Sequence, residues 1–267
     1  MHFPMVNTQM STIDDETKGS DRRGIQSVEI GMRVIEALRA ATGPLHLKDL
    51  AKASELPASN CHRYAVSFVR TGFLIQDPNS GRYDLGPRLL QAGLAALSRT
   101  DPIAIATPAL ERLVDATGNT GLLSVWADLG PTIVRWMPGL AAVRTSLSTG
   151  STLPLLTSAT GRVFLAFLPS RQTAALVASE TTSDNIETAP LVSRVRASGI
   201  AQVSGDHIPG LSAVAAPVLD AHGEATAAMT LVGARRGIAP AAVDRLRREA
   251  AEASARLGWT RSLARKS

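Results

Sequence analysis

The sequence predicts an α+β protein: an N-terminal winged helix-turn-helix, a linker helix, and a C-terminal domain built on an antiparallel sheet. Three observations carry this expectation. Residues 46–86 read as helix, tight turn, helix, then a short hairpin. Gly86-Pro87 opens a further helix with a narrow apolar seam. Beyond residue 100, β-type stretches alternate with amphipathic helices, and turn signals separate the strands.

The first 24 residues are polar and aperiodic and are expected to form a disordered tail. From Ser27, an N-cap candidate, Val28, Met32, Ile35 and Leu38 recur at helical spacing until Thr42-Gly43-Pro44. Leu47–Ala53 reads as a short helix, broken at Glu55-Leu56-Pro57, and Ala58–Arg70 as a longer one. At about 100° per residue, Cys61, Tyr64, Ala65, Phe68 and Val69 fall on one side of that second helix. Ser59, Arg63 and Arg70 fall opposite, with Asn60, His62 and Ser67 on the flanks, and this exposed side carries no acid. Phe73–Ile75 and Arg82–Leu85 then form a hairpin across Asp77-Pro78-Asn79-Ser80-Gly81. The domain spans 25–86 and the linker helix 87–100.

Side-chain chemistry gives this segment a function. Arg and Asn read guanine and adenine edges bidentately in the major groove. Arg63, Asn60 and Ser59 are therefore the expected base readers, with His62 and Ser67 beside them. Lys48, Lys52, Arg70 and Arg82 are expected on phosphates. Residues 21–100 hold eleven Lys and Arg against seven acids, the densest positive stretch of the chain. The segment reads as DNA-binding. A winged helix also serves as a protein-interaction adaptor, and that alternative stands at this point.

Leu90, Gly93 or Leu94, and Leu97 form the linker seam, expected to pack on a second copy of the chain. Asp101-Pro102 caps a helix with Ile105, Leu110, Leu113 and Val114 on one face. Thr120–Ala127 and Thr132–Met137 read as a hairpin, Thr145–Pro154 as loop, and Thr157–Leu168, Ser170–Ala178 and Leu191–Ser198 as helices. A strand to Ser204, two more over Leu211–Leu219 and Ala225–Val232, and a closing helix from Pro240 complete a domain over 101–258. Residues 259–267 form a C-terminal tail.

Other chemistries find little support. The lone Cys61 allows no intramolecular disulfide and no multi-thiolate metal site, and its place on the buried stripe makes it a core thiol. No apolar run is long enough to span a bilayer, and residues 1–24 lack the pattern of a secretory signal, so a cytoplasmic protein with no membrane partner is expected. Gly210-Leu211-Ser212-Ala213-Val214 resembles a hydrolase nucleophile elbow, but its fifth residue is not Gly and a strand follows. Asp206 and His207 are the one candidate catalytic pair, with loop residues as the plainer reading. No phosphate loop or dinucleotide fingerprint is present, and no cofactor is expected.

Along residues 25–258 the sequence resembles the IclR-type bacterial transcription regulators. The resemblance rests on Ile25-Gln26-Ser27-Val28-Glu29, Leu50-Ala51, Leu56-Pro57, Ser59, His62-Arg63 and Gly72-Phe73. It continues through Gly81–Leu90, Leu153-Pro154, Gly161, Pro209-Gly210 and Ala215–Asp220. It implies a GAF-like C-terminal domain that binds a small organic effector, and dimers or dimers of dimers on palindromic operators. It places the effector pocket at Ala142, Thr145, Ala159, Thr160, Val203, Ala213, Thr230 and Val232. Relatives that bind small keto acids have an acid near Val203, a thiol near Ala213 and a hydroxyl near Val232. Leu156 replaces a usual His and Arg162 a usual Lys, while Ala58 and Asn60 depart from common recognition-helix residues. Three threonines among apolar residues suit a larger, mostly apolar or aromatic acid, held by backbone amides near Ala159-Thr160-Gly161 and walled by Trp126 and Trp136.

Overall fold

The computed structural model describes residues 24–140, 143, 145–181, 187–205, 208–234 and 237–260. The tail expected over residues 1–24 lies outside them except for Gly24, as do Ala142, Asp206, His207 and residues 261–267. The chain divides into two compact units between Ala95 and Ala96.

In the first unit, α1 (Gln26–Ala40), α2 (Leu47–Ala53) and α3 (Ala58–Arg70) precede β1 (Leu74–Gln76), β2 (Tyr83–Leu85) and α4 (Pro87–Leu97). Val34, Leu38, Leu50, Cys61, Ala65, Leu74 and Tyr83 form its core. Between α2 and α3 the chain reverses through Glu55, at φ +56°, and the buried Ser54 hydroxyl donates to Leu50 O at 2.7 Å. β1 and β2 are antiparallel, with Leu74 opposite Leu85 and Gln76 opposite Tyr83; Leu45 adds a bridge to Tyr83. At the wing tip Asp77 Oδ1 accepts from Asn79 N at 2.7 Å and Ser80 N at 3.2 Å. These donors hold the Asp77 carboxyl below its ordinary range.

Two expectations for α1 fail. Ser27 lies inside the helix, and the N-cap is Ile25, without a side-chain cap bond. Val28 and Met32 are exposed, while Gly31, Val34, Ile35, Ala37 and Leu38 are buried. The side of α1 turned to α3 is the one that carries Gly31, where a Cβ would press on the rings of Tyr64 and Phe68. Helix α4 buries none of its residues; Leu90, Leu94 and Leu97 are 65, 56 and 53% exposed.

The second unit holds α5 (Pro102–Thr117), β3 (Thr120–Ala127), β4 (Gly130–Met137), α6 (Ala159–Phe167), α7 (Ser170–Thr181) and α8 (Thr188–Ser198). It ends with β5 (Ala201–Ser204), β6 (Leu211–Leu219), β7 (Ala225–Ala234) and α9 (Pro240–Arg256). Asp101 caps α5 as expected, accepting from Ile103 N at 2.8 Å and Ala104 N at 3.2 Å. The sheet runs β4-β3-β7-β6-β5 and is antiparallel throughout. Side chains alternate across it. Leu123, Val214, Val218, Met229 and Leu231 meet α5 and α9 on one face. Ala215, Leu219 and Ala228 meet Val163, Phe164, Leu191 and Val195 on the other.

Some boundaries shift. The β3–β4 turn is the pair Asp128-Leu129, so β4 starts at Gly130 rather than Thr132. Helix α7 runs on to Thr181 and α8 starts at Thr188. Strand β7 continues to Ala234.

One ion triad joins α5 to α9. Glu249 is 2% exposed and accepts from Arg112 Nη2 at 2.6 Å and Arg245 Nη2 at 2.7 Å. Breaking a buried pair costs about 3–5 kcal/mol, but both arginines here are partly exposed and can turn to water. Glu249→Ala should therefore lower the unfolding free energy by roughly 2 kcal/mol. Urea titration followed by circular dichroism measures this, and an unshifted midpoint would mean that the triad does not hold the two helices together.

Candidate nucleic-acid face and ligand pocket

Ser59, Asn60, His62, Arg63, Ser67 and Arg70 are all exposed on α3, as are Lys48 and Lys52 on α2 and Arg82 just before β2. Their presentation follows from what is buried. Cys61 and Ala65 face the core fully, and Tyr64, Phe68 and Val69 partly. Burial pushes the Cys61 thiol up, away from a reactive thiolate.

Hydrogen bonds refine the roles of three of these side chains. The Ser67 hydroxyl donates to Arg63 O at 2.9 Å, within its own helix. His62 Nδ1 lies 3.3 Å from the Tyr83 hydroxyl, tying α3 to β2. Arg82 Nε donates to His46 Nε2 at 3.2 Å, tying the wing to the residue that begins α2. That bond requires the His46 proton on Nδ1. His46 is missing from the residues expected on sequence grounds, because its partner lies 36 residues away. Asp49 is also exposed on α2, so that helix presents both signs of charge.

In the second unit, Thr145, Ala159, Thr160, Val203, Ala213, Thr230 and Val232 line one cavity of about 50 Å3. Seven of the eight expected positions are thus gathered at one place. Leu122, Trp136, Leu147, Leu153, Ser158, Gly205, Ile208, Leu211 and Ser212 complete the described wall. The cavity lies at the N-terminal end of α6, against β3, β7 and β6. Trp136 lines it as expected, but Trp126 does not. Trp126 packs on Phe164, ring centres 5.9 Å apart. The register explains this: Trp136 stands opposite Leu122 near the open end of the β3–β4 hairpin, and Trp126 opposite Pro131 beside its turn.

Among the described residues, no charged side chain lines this cavity. Thr160 Oγ1 and Thr230 Oγ1 are both buried and lie 2.8 Å apart. Thr145 Oγ1 accepts from Leu147 N at 3.1 Å. Ser158 and Ser212 add hydroxyls that sequence reasoning missed. Ser158 Oγ caps α6 by accepting from Gly161 N at 2.8 Å, and Ser212 Oγ meets Ser204 Oγ at 3.1 Å. The cap takes the Gly161 amide, leaving those of Ala159 and Thr160 in the first helical turn, where no intrahelical acceptor exists.

Ser212 sits buried within β6, a strand setting unlike the strand-to-helix turn of a nucleophile elbow. A second, larger cleft of about 900 Å3 is lined by residues including Phe167, Arg196, Pro217, His222, Glu224, Arg247 and Trp259. Its charges offset one another: Glu224 shares it with the two arginines, and Arg247 lies 3.6 Å from Asp244. Among the described residues no cluster of three or more His, Cys, Asp or Glu is placed to hold a metal ion. No described helix is long and apolar enough to cross a membrane.

Comparison with known proteins assigns both units. The family model described as the IclR helix-turn-helix domain matches residues 27–78, and that described as bacterial transcriptional regulator IclR C-terminal matches residues 94–259. The DNA-binding transcriptional repressor YiaJ of Escherichia coli is 30% identical over 223 residues, 78% of each chain. The crystal structure of Pseudomonas aeruginosa HmgR is 36% identical and superposes with a TM-score of 0.82, covering 89% of this chain and 100% of that one. An IclR homolog from Microbacterium hydrocarbonoxydans, solved in complex with 4-hydroxybenzoate, shares the fold at 21% identity and a TM-score of 0.51, covering 86% and 98%.

Proposed function

Because this chain belongs to the IclR family of bacterial transcriptional regulators, we propose that it reads a specific operator through α3 and the wing, under control of a small organic acid bound in the α6–sheet pocket. The acid-free exposed face of α3 is the observation that carries the DNA reading. Arg63, Asn60 and Ser59 enter the major groove. Lys48, Lys52, Arg70 and Arg82 neutralise phosphates, and His62, held by Tyr83, lies beside the readers. A DNA reader works where the chromosome is, and we place the protein in the cytoplasm.

The described wall of the pocket, which carries no charged side chain, supports an effector that is largely apolar or aromatic. A dicarboxylate would bury two charges against threonines and apolar side chains, at a cost that the few hydroxyl and amide donors there would not offset. A monoacid presents one carboxylate, which can accept from the Ala159 and Thr160 amides, and an apolar body that the rest of the wall suits. The 4-hydroxybenzoate held by the Microbacterium homolog is a ligand of this class.

Self-association through α4 completes the reading. Leu90, Leu94 and Leu97 stand on one exposed stripe, and covering it with the same stripe of a second copy removes that apolar surface from water.

Three outcomes follow. Arg63→Ala should lose about 1–3 kcal/mol of discrimination between a selected operator and random DNA, whereas Lys48→Ala should weaken both alike. Binding isotherms at several salt concentrations measure this, and wild-type affinity and salt slope in both variants would overturn the groove assignment. Leu94→Asp should lower the hydrodynamic mass at micromolar concentration and weaken operator binding; an unchanged mass would move the contact off α4. In a thermal-shift screen, benzoate-type acids should raise the melting temperature and Thr230→Val should blunt that rise while leaving effector-free DNA binding intact. A shift from pyruvate or glyoxylate with none from the aromatic acids would sink the ligand assignment.

A further inference from the structure

At about 50 Å3 the pocket is far smaller than the roughly 300–1,000 Å3 clefts that enclose drug-sized ligands. An aromatic acid enters only if part of the wall gives way. The sheet side is stiff, because Leu122 and Thr230 lie on β3 and β7, each hydrogen-bonded to a strand on both edges. The wall opposite includes α6, the loop before it, and β5.

Three contacts hold that side at one place. Glu180, near the end of α7, accepts from Leu155 N through Oε1 and from Leu156 N through Oε2, both at 2.8 Å. Arg162, on α6, donates through Nε to Leu156 O at 2.7 Å and through Nη1 to Gln202 O at 3.3 Å. Gln202 precedes Val203, which lines the pocket. Gly161 brings the α6 backbone onto the same loop, where a Cβ would collide with Pro154 O and Leu155 O. An anion thus holds the N–H of Leu156 and a cation its C=O. Both bonds are charge-assisted, about twice as strong as neutral ones.

We propose that Glu180 and Arg162 are positioning residues that clamp Leu156 and thereby limit the size of acid the pocket admits. The proposal rests on reading this cavity as the effector site. A small aromatic acid parts the wall little and strains the clamp little. A bulkier one must part α6 from β5 and stretch the Arg162 bridge, or lift the loop off Glu180. Glu180→Gln keeps one acceptor oxygen but turns an NH2 group toward a backbone N–H. Arg162→Lys keeps the charge but loses the fork that spans two carbonyls.

The test is calorimetric titration of the full chain with benzoate and with 2-naphthoate. In wild type benzoate should bind the tighter. In each variant the affinity ratio should move at least ten-fold toward 2-naphthoate, because the restraint on the larger acid is relaxed. A merely structural role would change both affinities together, and an equal change in both, or none, overturns the clamp. Thr230→Val separates this from failure of the site reading. If neither acid binds wild type, or if Thr230→Val leaves binding untouched, the cavity is not the effector site and the clamp falls with it. Should Glu180→Gln melt below the titration temperature, the ratio in Arg162→Lys decides.

Discussion

A sheet covered by helices on both faces has no water with which to solvate a charge. That constraint shapes the second unit. Its strands carry Ala, Val, Leu and Met toward α5 and α9, and small or apolar residues toward α6 and α8. Some buried hydroxyls bond another side chain, as Thr160 with Thr230 and Ser212 with Ser204. The buried carboxylate of Glu249 is answered by two guanidiniums that reach in from the surface. A ligand entering the same interior meets the same condition. It has to bring an apolar body, and whatever charge it carries has to find donors already in place.

Charge is handled oppositely in the first unit. Its core is small, and α3 presents most of its polar residues to solvent. Nothing needs to be neutralised there until a polyanion arrives, when displaced counterions supply much of the binding energy. What the small core has to do is fix orientation, and Tyr83 is central to it. The Tyr83 backbone pairs with Gln76 and Leu45, and its hydroxyl meets His62. One buried side chain therefore sets the wing against the helix that carries Arg63.

The exposed face of α3 is legible in the sequence to the residue, because a helix face is a local property. Thirteen residues at a fixed angle decide which side chains point out. The hairpins and the α5 cap are legible for the same reason. The α1 face is misread from sequence because it includes Gly31, which has no side chain to mark it as core and is seen to be so only when Tyr64 and Phe68 lie against it. Trp126 is misplaced because two strand tryptophans look alike until the register assigns them to opposite ends of a hairpin. The pocket positions come from family resemblance. The bare residues, mostly Ala, Val and Thr, carry no chemical mark of a site.

The contacts most invisible to the sequence are those that adjust function. His46 with Arg82, Leu155 and Leu156 with Glu180, and Arg112 with Glu249 link residues 24 to 137 positions apart. None has a periodicity or a motif. Each is a charged or polar side chain reaching a group on a different element, so its worth depends on a geometry that only the folded chain supplies. The division is physical. In the proposed reading, recognition of DNA is written along one helix, where neighbours in sequence are neighbours in space. The proposed selection among acids would depend on how far three separate elements can part, as set by a few long side chains anchored on a loop. Substitutions in such anchors leave the fold's pattern untouched, since Arg and Lys, or Glu and Gln, suit a half-buried helix position alike. On the proposed reading they act through the loop they hold, and so change the preference among ligands before they change the architecture.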